Sequence, residues 1–464
     1  MSRARALGDD RIAYRRSRAV VAILLVLAYA ACEIVLFSRH APFRDEAQAW
    51  LWARELNRPQ DWFAVPGEGH PPLWFWLLRG LSVVADFDHA RLAGLVIAFA
   101  NAVLLAILEW RKPLLVFAFL GSLLWLDYWG FNFRPYGLVL ALSLAAILLD
   151  KRRRPVLATW LLAIACGLHF FAGFVFAMWL VARLGRGLAW RAAAAPALLA
   201  LGFGVLAILS GAGNPASALD FSHLAARMLA TFAAPFQPAG LPAWPIAIAI
   251  AALAAIGLRH DRRTLLWLLA IVLGFSLFTS LVYGRMPWHQ GFIVLLLLMG
   301  FELARPLAPR WPLVLAMLPQ VMFGAFHLAQ LREPPAQGEY SALAAVIADA
   351  GGRINTEHRL VAWPDFVLTA PAASFAFRYL DATSGRLLGP VNWRERKSQR
   401  PDPALLARVQ TPYWLVCLRC PAALETIEGL GLSAVPLVEG TTDFGEQVGA
   451  YRIESRNNPA ASKP

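Results

Sequence analysis

The sequence predicts a polytopic α-helical membrane protein that carries a small water-soluble α/β domain at its C-terminal end. Of its 464 residues, 58% are hydrophobic and only 16% are charged, whereas soluble domains are nearer half apolar and a quarter charged. Apolar runs of about 20 residues recur as far as Gln330, and each could cross about 30 Å of hydrocarbon as a helix. Beyond Gln330 the composition is that of an ordinary soluble domain.

The formal net charge of +13 lies wholly before Leu331, because the residues from there to the end hold 14 basic and 14 acidic side chains. The cations form short clusters between apolar runs, which is the positive-inside pattern and not a nucleic-acid-binding patch. The clusters are 3–18, 111–112, 151–154, 183–191, 259–263 and 305–310. We therefore expect membrane lipid, and no nucleic acid, among the partners.

Placing every basic cluster in the cytoplasm predicts about eleven spans, with the N-terminus inside and the C-terminal domain outside. The expected spans are 19–38, 90–108, 114–130, 136–150, 156–170, 171–185, 192–210, 245–258, 264–283, 290–304 and 312–330. The expected location is a bacterial inner membrane, with residues 1–330 as the membrane domain.

The apolar stretch 72–88 is not counted as a span, because it is short and contains Arg79. Counting it would reverse every later loop and place the basic cluster 151–154 outside. We interpret it as a helix in the outer interface, where its tryptophans suit the headgroup layer. Residues 39–89 then form one outer loop, in which Asp45 begins a second interfacial helix.

The C-terminal residues 335–455 are expected to form a periplasmic α/β domain with a partly parallel sheet. The strands are predicted at 359–363 and 413–417, and the helices at 341–350 and 369–380. Cys417 and Cys420 lie three residues apart, and an oxidising outer compartment makes a local disulfide plausible.

Two adjacent carboxylates, Asp45 and Glu46, follow Arg44 just after the first span. A carboxylate near the bilayer surface can remove the proton of an acceptor hydroxyl as a general base. Adjacent carboxylates would also suit Mg²⁺ or Mn²⁺, although no ligand spacing demands either ion. The structural alternatives are that Asp45 caps the N-terminus of the following helix and that the negative charge of Glu46 interacts favourably with the dipole of that helix.

Further polar residues fall at the outer ends of the predicted spans, and they come from loops that are distant in sequence. The candidates for substrate binding are Arg44, His70, Arg134, Tyr136, Arg285 and His289, and His169 lies at a neighbouring outer turn. Arginines can hold a phosphate by bidentate hydrogen bonds and neutralise its charge as it leaves. Boundary arginines also anchor to lipid headgroups, and a lone histidine at a helix end is usually structural.

An enzyme at the outer face cannot reach nucleotide sugars or ATP, because both are cytoplasmic. An activated donor would have to cross on a lipid carrier. A polyprenyl-phosphate sugar meets this requirement, since its sugar–phosphate bond breaks readily and its tail can lie among the spans.

Three short motifs stand at the outer ends of the predicted spans: Arg44-Asp45-Glu46-Ala47, His70-Pro71-Pro72-Leu73 and Arg134-Pro135-Tyr136. They resemble motifs of membrane glycosyltransferases with the GT-C fold, in particular bacterial relatives of protein O-mannosyltransferases and of the lipid A aminoarabinose transferase. The resemblance implies a multispan enzyme that uses polyprenyl-phosphate sugars. It also implies that Asp45 is the catalytic base or positions a metal, with Glu46 beside it, and that His70 faces the donor phosphate. Many relatives carry an Asp after the arginine–proline step, where this chain has Tyr136.

The leading hypothesis is an inverting hexosyl or pentosyl transferase whose acceptor is a lipid, a glycan or a protein. A transporter or flippase for a lipid-linked glycan is the alternative, although such proteins tend to contain internal repeats, which this sequence lacks. A non-catalytic scaffold for envelope assembly is a third possibility.

Overall fold

The computed structural model describes residues 2–40, 44–54, 56, 59–63, 65, 69–211, 221–237, 241–283, 287–331, 360–362, 379–381, 387–388, 403–418, 420–441 and 447–455. The chain divides into two compact units. The first consists of Met1–Ser38, Arg58–Leu77 and Asp88–Leu331, and the second of Arg39–Asn57, Leu78–Phe87 and Arg332–Pro464.

Helices dominate the first 331 residues. In chain order they are α1 (Ser2–Arg39), α2 (Arg44–Arg54), α3 (Leu73–Val84), α4 (Phe87–Glu109), α5 (Pro113–Leu120), α6 (Pro135–Lys151), α7 (Pro155–Leu168), α8 (Ala172–Leu184), α9 (Trp190–Gly211), α10 (Leu224–Ala233), α11 (Ala243–Leu258), α12 (Arg262–Phe278), α13 (Pro287–Leu303) and α14 (Trp311–Gln330). Proline begins α5, α6 and α7, where its fixed φ suits the first helical turn and its missing N–H costs nothing.

Among the described residues, five helices are long and apolar enough to cross a membrane. They are Arg16–Arg39, Phe87–Glu109, Trp190–Gly211, Arg262–Val282 and Trp311–Gln330. Shorter apolar helices lie between them, and a helix occupies each region in which the sequence predicts a span. The chain is therefore a helical membrane protein, as the apolar runs predict.

The single helix predicted over 114–130 is wrong, because α5 ends at Leu120 and a π-helical turn follows at Leu124–Tyr128. Helix α14 packs closely against this break, because the Gly121 carbonyl oxygen occupies the space that a Cβ at Gly324 would need. Gln320 of α14 accepts a hydrogen bond from the Leu124 N–H at 3.0 Å. The Gln320 side chain thus accepts a hydrogen bond from a backbone N–H that has no partner within the interrupted helix.

Those C-terminal residues that the structure describes form a mixed sheet with two helices. The strands are β1 (Leu360–Ala362), β2 (Tyr379–Asp381), β3 (Leu387–Leu388), β4 (Tyr413–Leu418), β5 (Leu432–Thr441) and β6 (Gln447–Ser455), and the helices are α15 (Pro403–Arg408) and α16 (Cys420–Gly429). The strand order is β3-β2-β1-β4-β6-β5. Strand β1 runs parallel to both β2 and β4, so the partly parallel sheet is confirmed.

Cys417 and Cys420 form a disulfide that joins the end of β4 to the start of α16, as the CxxC spacing suggests. Both cysteines are buried, and they pack in a core with Tyr413 and Ile453. The helix predicted over 369–380 is wrong at its end, where residues 379–381 pair as strand β2. Residues 369–378 and the predicted helix 341–350 lie outside the described residues.

Candidate functional site

The turn between the π-helical segment and α6 places Arg134 and Tyr136. Arg134 is extended (φ −129°, ψ 160°), as expected for a residue before proline, and Pro135 then begins α6. The Arg134 Cζ lies 5.5 Å from the centroid of the Tyr136 ring, and its Nη2 donates to the Tyr136 hydroxyl at 3.4 Å. A guanidinium held over an aromatic face keeps its charge and a defined orientation.

Tyr136 is almost fully buried, and its ring stacks on Trp129 at 6.0 Å with an interplanar angle of 10°. Trp129 in turn donates from Nε1 to the Trp288 carbonyl at 3.0 Å. This contact joins the turn before α6 to the first turn of α13, which carries His289. The centroids of the Tyr136 and His289 rings are 6.1 Å apart.

His169 lies between α7 and α8 and is fully buried. Its Nδ1 accepts a hydrogen bond from the Phe171 N–H at 3.2 Å. A nitrogen that accepts a hydrogen bond carries no proton, so this contact assigns the ring as neutral, with its proton on Nε2. No described residue is a hydrogen-bond partner of that Nε2.

Three histidines from distant parts of the chain meet at this position. The His169 ring centroid is 5.1 Å from that of His70 and 5.7 Å from that of His289. His70, His289 and Arg134 are all close enough to act on His169 electrostatically, and all three are basic. The arrangement favours an oxygen-rich or anionic ligand.

The backbone before His70 shows why glycine stands there. Gly69 has φ +64°, in the left-handed region that favours glycine. A Cβ added at Gly211, where α9 ends, would lie 3.3 Å from the Gly69 Cα. Absence of a side chain at Gly211 lets the end of α9 pack directly against the loop that carries His70.

Phenylalanines enclose the histidine cluster. Phe170 and Phe171 stack beside His169 at 4.9 and 5.2 Å, and Phe292 of α13 lies 5.3 Å away. Aromatic walls with a few converging polar groups are the usual composition of a small-molecule site. We call His70, Arg134, Tyr136, His169 and His289 the histidine–arginine cluster.

The two π-helical segments lie beside this cluster. The first, Leu124–Tyr128, leads into Trp129, and the second, Thr279–Tyr283, extends α12 towards α13. Single π-helical turns inside α-helices are rare and are frequent at functional sites. Their position is independent support for a site at these helix ends.

The acidic pair, Asp45 and Glu46, belongs to the second unit, whereas the histidine–arginine cluster belongs to the first. The Glu46 carboxylate is buried, and its Oε2 lies 2.9 Å from Nε2 of His40. Asp45 lies in the first turn of α2, as predicted, but its side chain and that of Arg44 lie outside the described part of the structure. Arg285 also lies outside the described residues.

Sequence reasoning missed His40 and did not place His169 among the binding residues. His40 carries no motif, and only its proximity to Glu46 identifies it. His169 precedes two phenylalanines at a helix break, which is a weak signal in sequence. Four of the predicted binding residues, His70, Arg134, Tyr136 and His289, do come together.

Another buried carboxylate lies in α1. Glu33 is fully buried, and neither of its oxygens makes a hydrogen bond of ordinary geometry with a described residue. A Cβ added at Gly130 would lie 2.6 Å from its Oε2, so only glycine fits opposite the carboxylate. Nearby, the Tyr29 hydroxyl donates to the Trp125 carbonyl at 2.9 Å.

Within the described residues, no group of three or more His, Cys, Asp or Glu side chains is arranged to hold a metal ion. A Mg²⁺ or Mn²⁺ ion held by Asp45 and Glu46 stays a hypothesis, because the Asp45 side chain lies outside the described part of the structure. No protein-family model and no curated protein matches the chain. The function proposed below rests on the residues and their geometry.

Proposed function

We propose that the protein transfers a sugar from a polyprenyl-phosphate-linked donor to an acceptor hydroxyl at the outer face of a bacterial inner membrane. The observation that carries the proposal is the histidine–arginine cluster. Its members come from four separate loops or helix ends, and four of them are expected from the sequence to bind the donor. A stacked arginine beside histidine and tyrosine side chains suits a phosphate attached to a sugar.

The proposed topology has about eleven spans, with the basic clusters in the cytoplasm and the C-terminal domain in the periplasm. The Cys417–Cys420 disulfide supports the outer location of that domain, because disulfides persist in oxidising compartments. The resemblance to membrane glycosyltransferases with the GT-C fold belongs to the same proposal.

In the proposed reaction Asp45 removes the proton of the acceptor hydroxyl as its oxygen attacks the anomeric carbon of the sugar. The bond between that carbon and the phosphate oxygen breaks in the same step, and polyprenyl phosphate leaves as the anion. Arg134 and His70 hold the departing phosphate and stabilise its developing charge. A single displacement inverts the anomeric configuration.

The test is transfer of a radiolabelled sugar from a polyprenyl-phosphate donor to acceptors in membrane extract, with the protein in proteoliposomes. Asp45→Asn should lower the rate by about 10²–10⁴-fold, the usual contribution of a general base. Asp88→Asn, an exposed carboxylate in the first turn of α4, is the matched control and should leave the rate unchanged. Full activity in a well-folded Asp45→Asn variant would refute the assignment of the base.

The same assay with and without EDTA tests the predicted Mg²⁺ or Mn²⁺ at Asp45 and Glu46. Loss of transfer that added Mn²⁺ or Mg²⁺ restores would support a metal at the acidic pair. Unchanged transfer in EDTA would leave Asp45 as the base without a metal.

Transport of a lipid-linked glycan is the second candidate, and Glu33 is the observation that favours it. A fully buried carboxylate within a membrane-spanning helix is a frequent mark of an ion or proton pathway. Vesicles that moved labelled lipid between leaflets without forming a new glycosidic product would support transport. In that case Glu33→Gln should stop the movement, whereas the transferase proposal predicts that Glu33→Gln retains transfer.

A further inference from the structure

The geometry points to His169 as the residue that recognises a hydroxyl group of the donor sugar, while Arg134 contacts the phosphate. This assignment rests on the proposed function and divides its binding site into a sugar part and a phosphate part. Its evidence is the hydrogen bonding of His169 and the chemistry of the side chains around it.

The first step concerns the two ring nitrogens of His169. The Phe171 N–H donates to Nδ1, so the ring presents Nε2–H as a donor of fixed position. That donor is fully buried and has no hydrogen-bond partner among the described residues. A buried donor without an acceptor destabilises the fold, so such a donor in a functional cluster indicates a ligand acceptor.

The second step concerns the surroundings. Phe170 and Phe171 stack at interplanar angles of 24° and 29° to the His169 ring and fix its orientation. Tyr136 and Phe292 lie within 5.0 and 5.3 Å of it, measured between ring centroids. A neutral donor among aromatic faces suits a sugar, whose C–H faces pack on rings and whose hydroxyl oxygens accept hydrogen bonds.

The third step separates the phosphate from the sugar. Arg134 carries a permanent charge and a planar fork of donors, which match phosphate oxygens. Tyr136 lies between the two parts, since it contacts Arg134 through its ring and hydroxyl and contacts His169 through its ring. The order Arg134, Tyr136, His169 therefore corresponds to phosphate, anomeric end and sugar hydroxyls.

A site that hydrogen-bonds a substrate hydroxyl discriminates strongly against the analogue that lacks it, because a buried polar group is then left unpaired. The assignment predicts that His169 provides such discrimination at one hydroxyl of the sugar. Binding of sugar-free polyprenyl phosphate should not depend on it.

His169→Asn is the informative variant. The asparagine Oδ1 can still accept the Phe171 N–H, whereas the donor at the position of Nε2 is removed. His169→Gln offers an amide N–H at greater reach and is the conservative rescue. His169→Phe also removes the donor and keeps an aromatic ring beside Phe170 and Phe171. His260→Phe, at an exposed histidine, is the matched control.

Binding is measured for the full-length protein in nanodiscs, after a thermal melt shows that each variant is folded. The probes are decaprenyl phosphate, the same lipid carrying mannose, glucose or arabinose, and monodeoxy versions of the sugar that binds. His169→Asn and His169→Phe should weaken binding of the sugar-bearing probe about tenfold, the value of one good hydrogen bond. They should leave decaprenyl phosphate within about twofold, as should His260→Phe for both probes.

One monodeoxy analogue should bind the wild-type protein about tenfold more weakly than the parent sugar does. That analogue should have the same affinity for His169→Asn as for the wild type, because the hydrogen bond that the variant lacks is already missing. His169→Gln should restore part of the difference in affinity between the parent sugar and this monodeoxy analogue. Equal weakening of both probes, or wild-type discrimination by a folded His169→Asn, would overturn the assignment. Absence of binding of every probe to the wild-type protein would instead disprove the proposed function on which it rests.

Discussion

The Nε2 of His40 lies 2.9 Å from Oε2 of Glu46, and the Glu46 side chain is only 1% exposed. The second carboxylate of the acidic pair therefore contacts a histidine that precedes it by six residues. This contact links the residue after α1 to the first turn of α2. The two carboxylates therefore have different proposed roles: His40 holds Glu46 in place, and Asp45 is the proposed base.

A double-mutant cycle tests the contact between His40 and Glu46. Glu46→Gln and His40→Ala should each destabilise the protein, and the double variant should be about as unstable as the worse single variant. The expected coupling is about 1–3 kcal/mol, because one partner is charged and buried. The measurement is denaturant unfolding in detergent micelles, and additive effects would show that the two side chains do not interact.

A cluster of charges around the buried Arg310 joins the ends of five helices and predicts a large loss of stability when this arginine is removed. Nη2 of Arg310 lies 2.5 Å from Glu302 and 3.2 Å from Glu109. Lys151 contacts Glu302 at 2.8 Å, and Lys112 contacts Glu109 at 2.9 Å. Arg310→Met should destabilise the protein by about 3–5 kcal/mol, because it leaves two carboxylates buried without their shared partner.

Thermal unfolding in detergent measures this loss. Replacing both carboxylates by glutamine in the Arg310→Met background should restore much of the stability, because no buried carboxylate is then left charged, and Lys112 and Lys151, which are 40% and 35% exposed, can be solvated by water. An unchanged melting temperature in Arg310→Met alone would contradict the structural role of the cluster.

Asp261 caps the N-terminus of α12 and predicts a pH-dependent contribution to stability. Its carboxylate accepts hydrogen bonds from the Thr264 N–H at 3.0 Å, from Arg186 at 2.7 Å and from the Arg305 N–H at 2.9 Å. Partial burial acts to raise the pKa of Asp261, but the hydrogen bonds from Thr264 and Arg305 and the charge of Arg186 outweigh it and lower the pKa.

A lowered pKa in the folded state means that the stabilisation is present above the unfolded pKa of about 3.9 and is lost as the pH falls through the folded value. Asp261→Asn keeps a capping oxygen but loses the charge that pairs with Arg186 and with the helix N-terminus, so it should cost about 0.5–1 kcal/mol at neutral pH. The difference between the variant and the wild type should shrink below about pH 4. Unfolding free energies measured from pH 3 to 7 test this, and a constant difference would rule out an ionised cap.

Arg134 is expected to bind phosphate through its planar guanidinium, which stacks on Tyr136. Arg134→Lys keeps the charge but loses the stacking and the fork of donors, so it should weaken binding of decaprenyl phosphate about tenfold. Arg259→Lys, at an exposed arginine, is the control and should bind as the wild type does. Equal affinity of Arg134→Lys and the wild type would mean that the charge alone suffices or that the phosphate lies elsewhere.

The helices were predictable because hydrophobic length is a local property of the chain. The predicted span 192–210 and the observed α9 (Trp190–Gly211) differ by two residues or fewer at each end. The interruption after Leu120 was not predictable, because it depends on the approach of Gly324 from a helix some 200 residues later in the chain. No pattern within residues 114–130 contains that information.

Part of the site was also predictable from local features of the sequence. His70, Arg134 and Tyr136 were found through short motifs, and His289 was found through its place at a helix end. The contact of His169 with Phe171 depends on the backbone conformation of one turn, and the contact of His40 with Glu46 joins two residues that do not lie in the same helix. Such contacts follow from tertiary geometry and carry no periodicity.

The lipid that co-purifies with the protein tests the central claim most directly, namely that the histidine–arginine cluster holds a lipid-linked phosphate sugar. The protein would be extracted from its native membrane in a mild detergent, and its bound lipids would be identified by mass spectrometry. The account predicts a polyprenyl-phosphate sugar bound to the wild type and its loss from an Arg134→Gln variant purified at the same yield. Glycerophospholipids alone on both proteins, from membranes shown to contain polyprenyl-phosphate sugars, would contradict the claim.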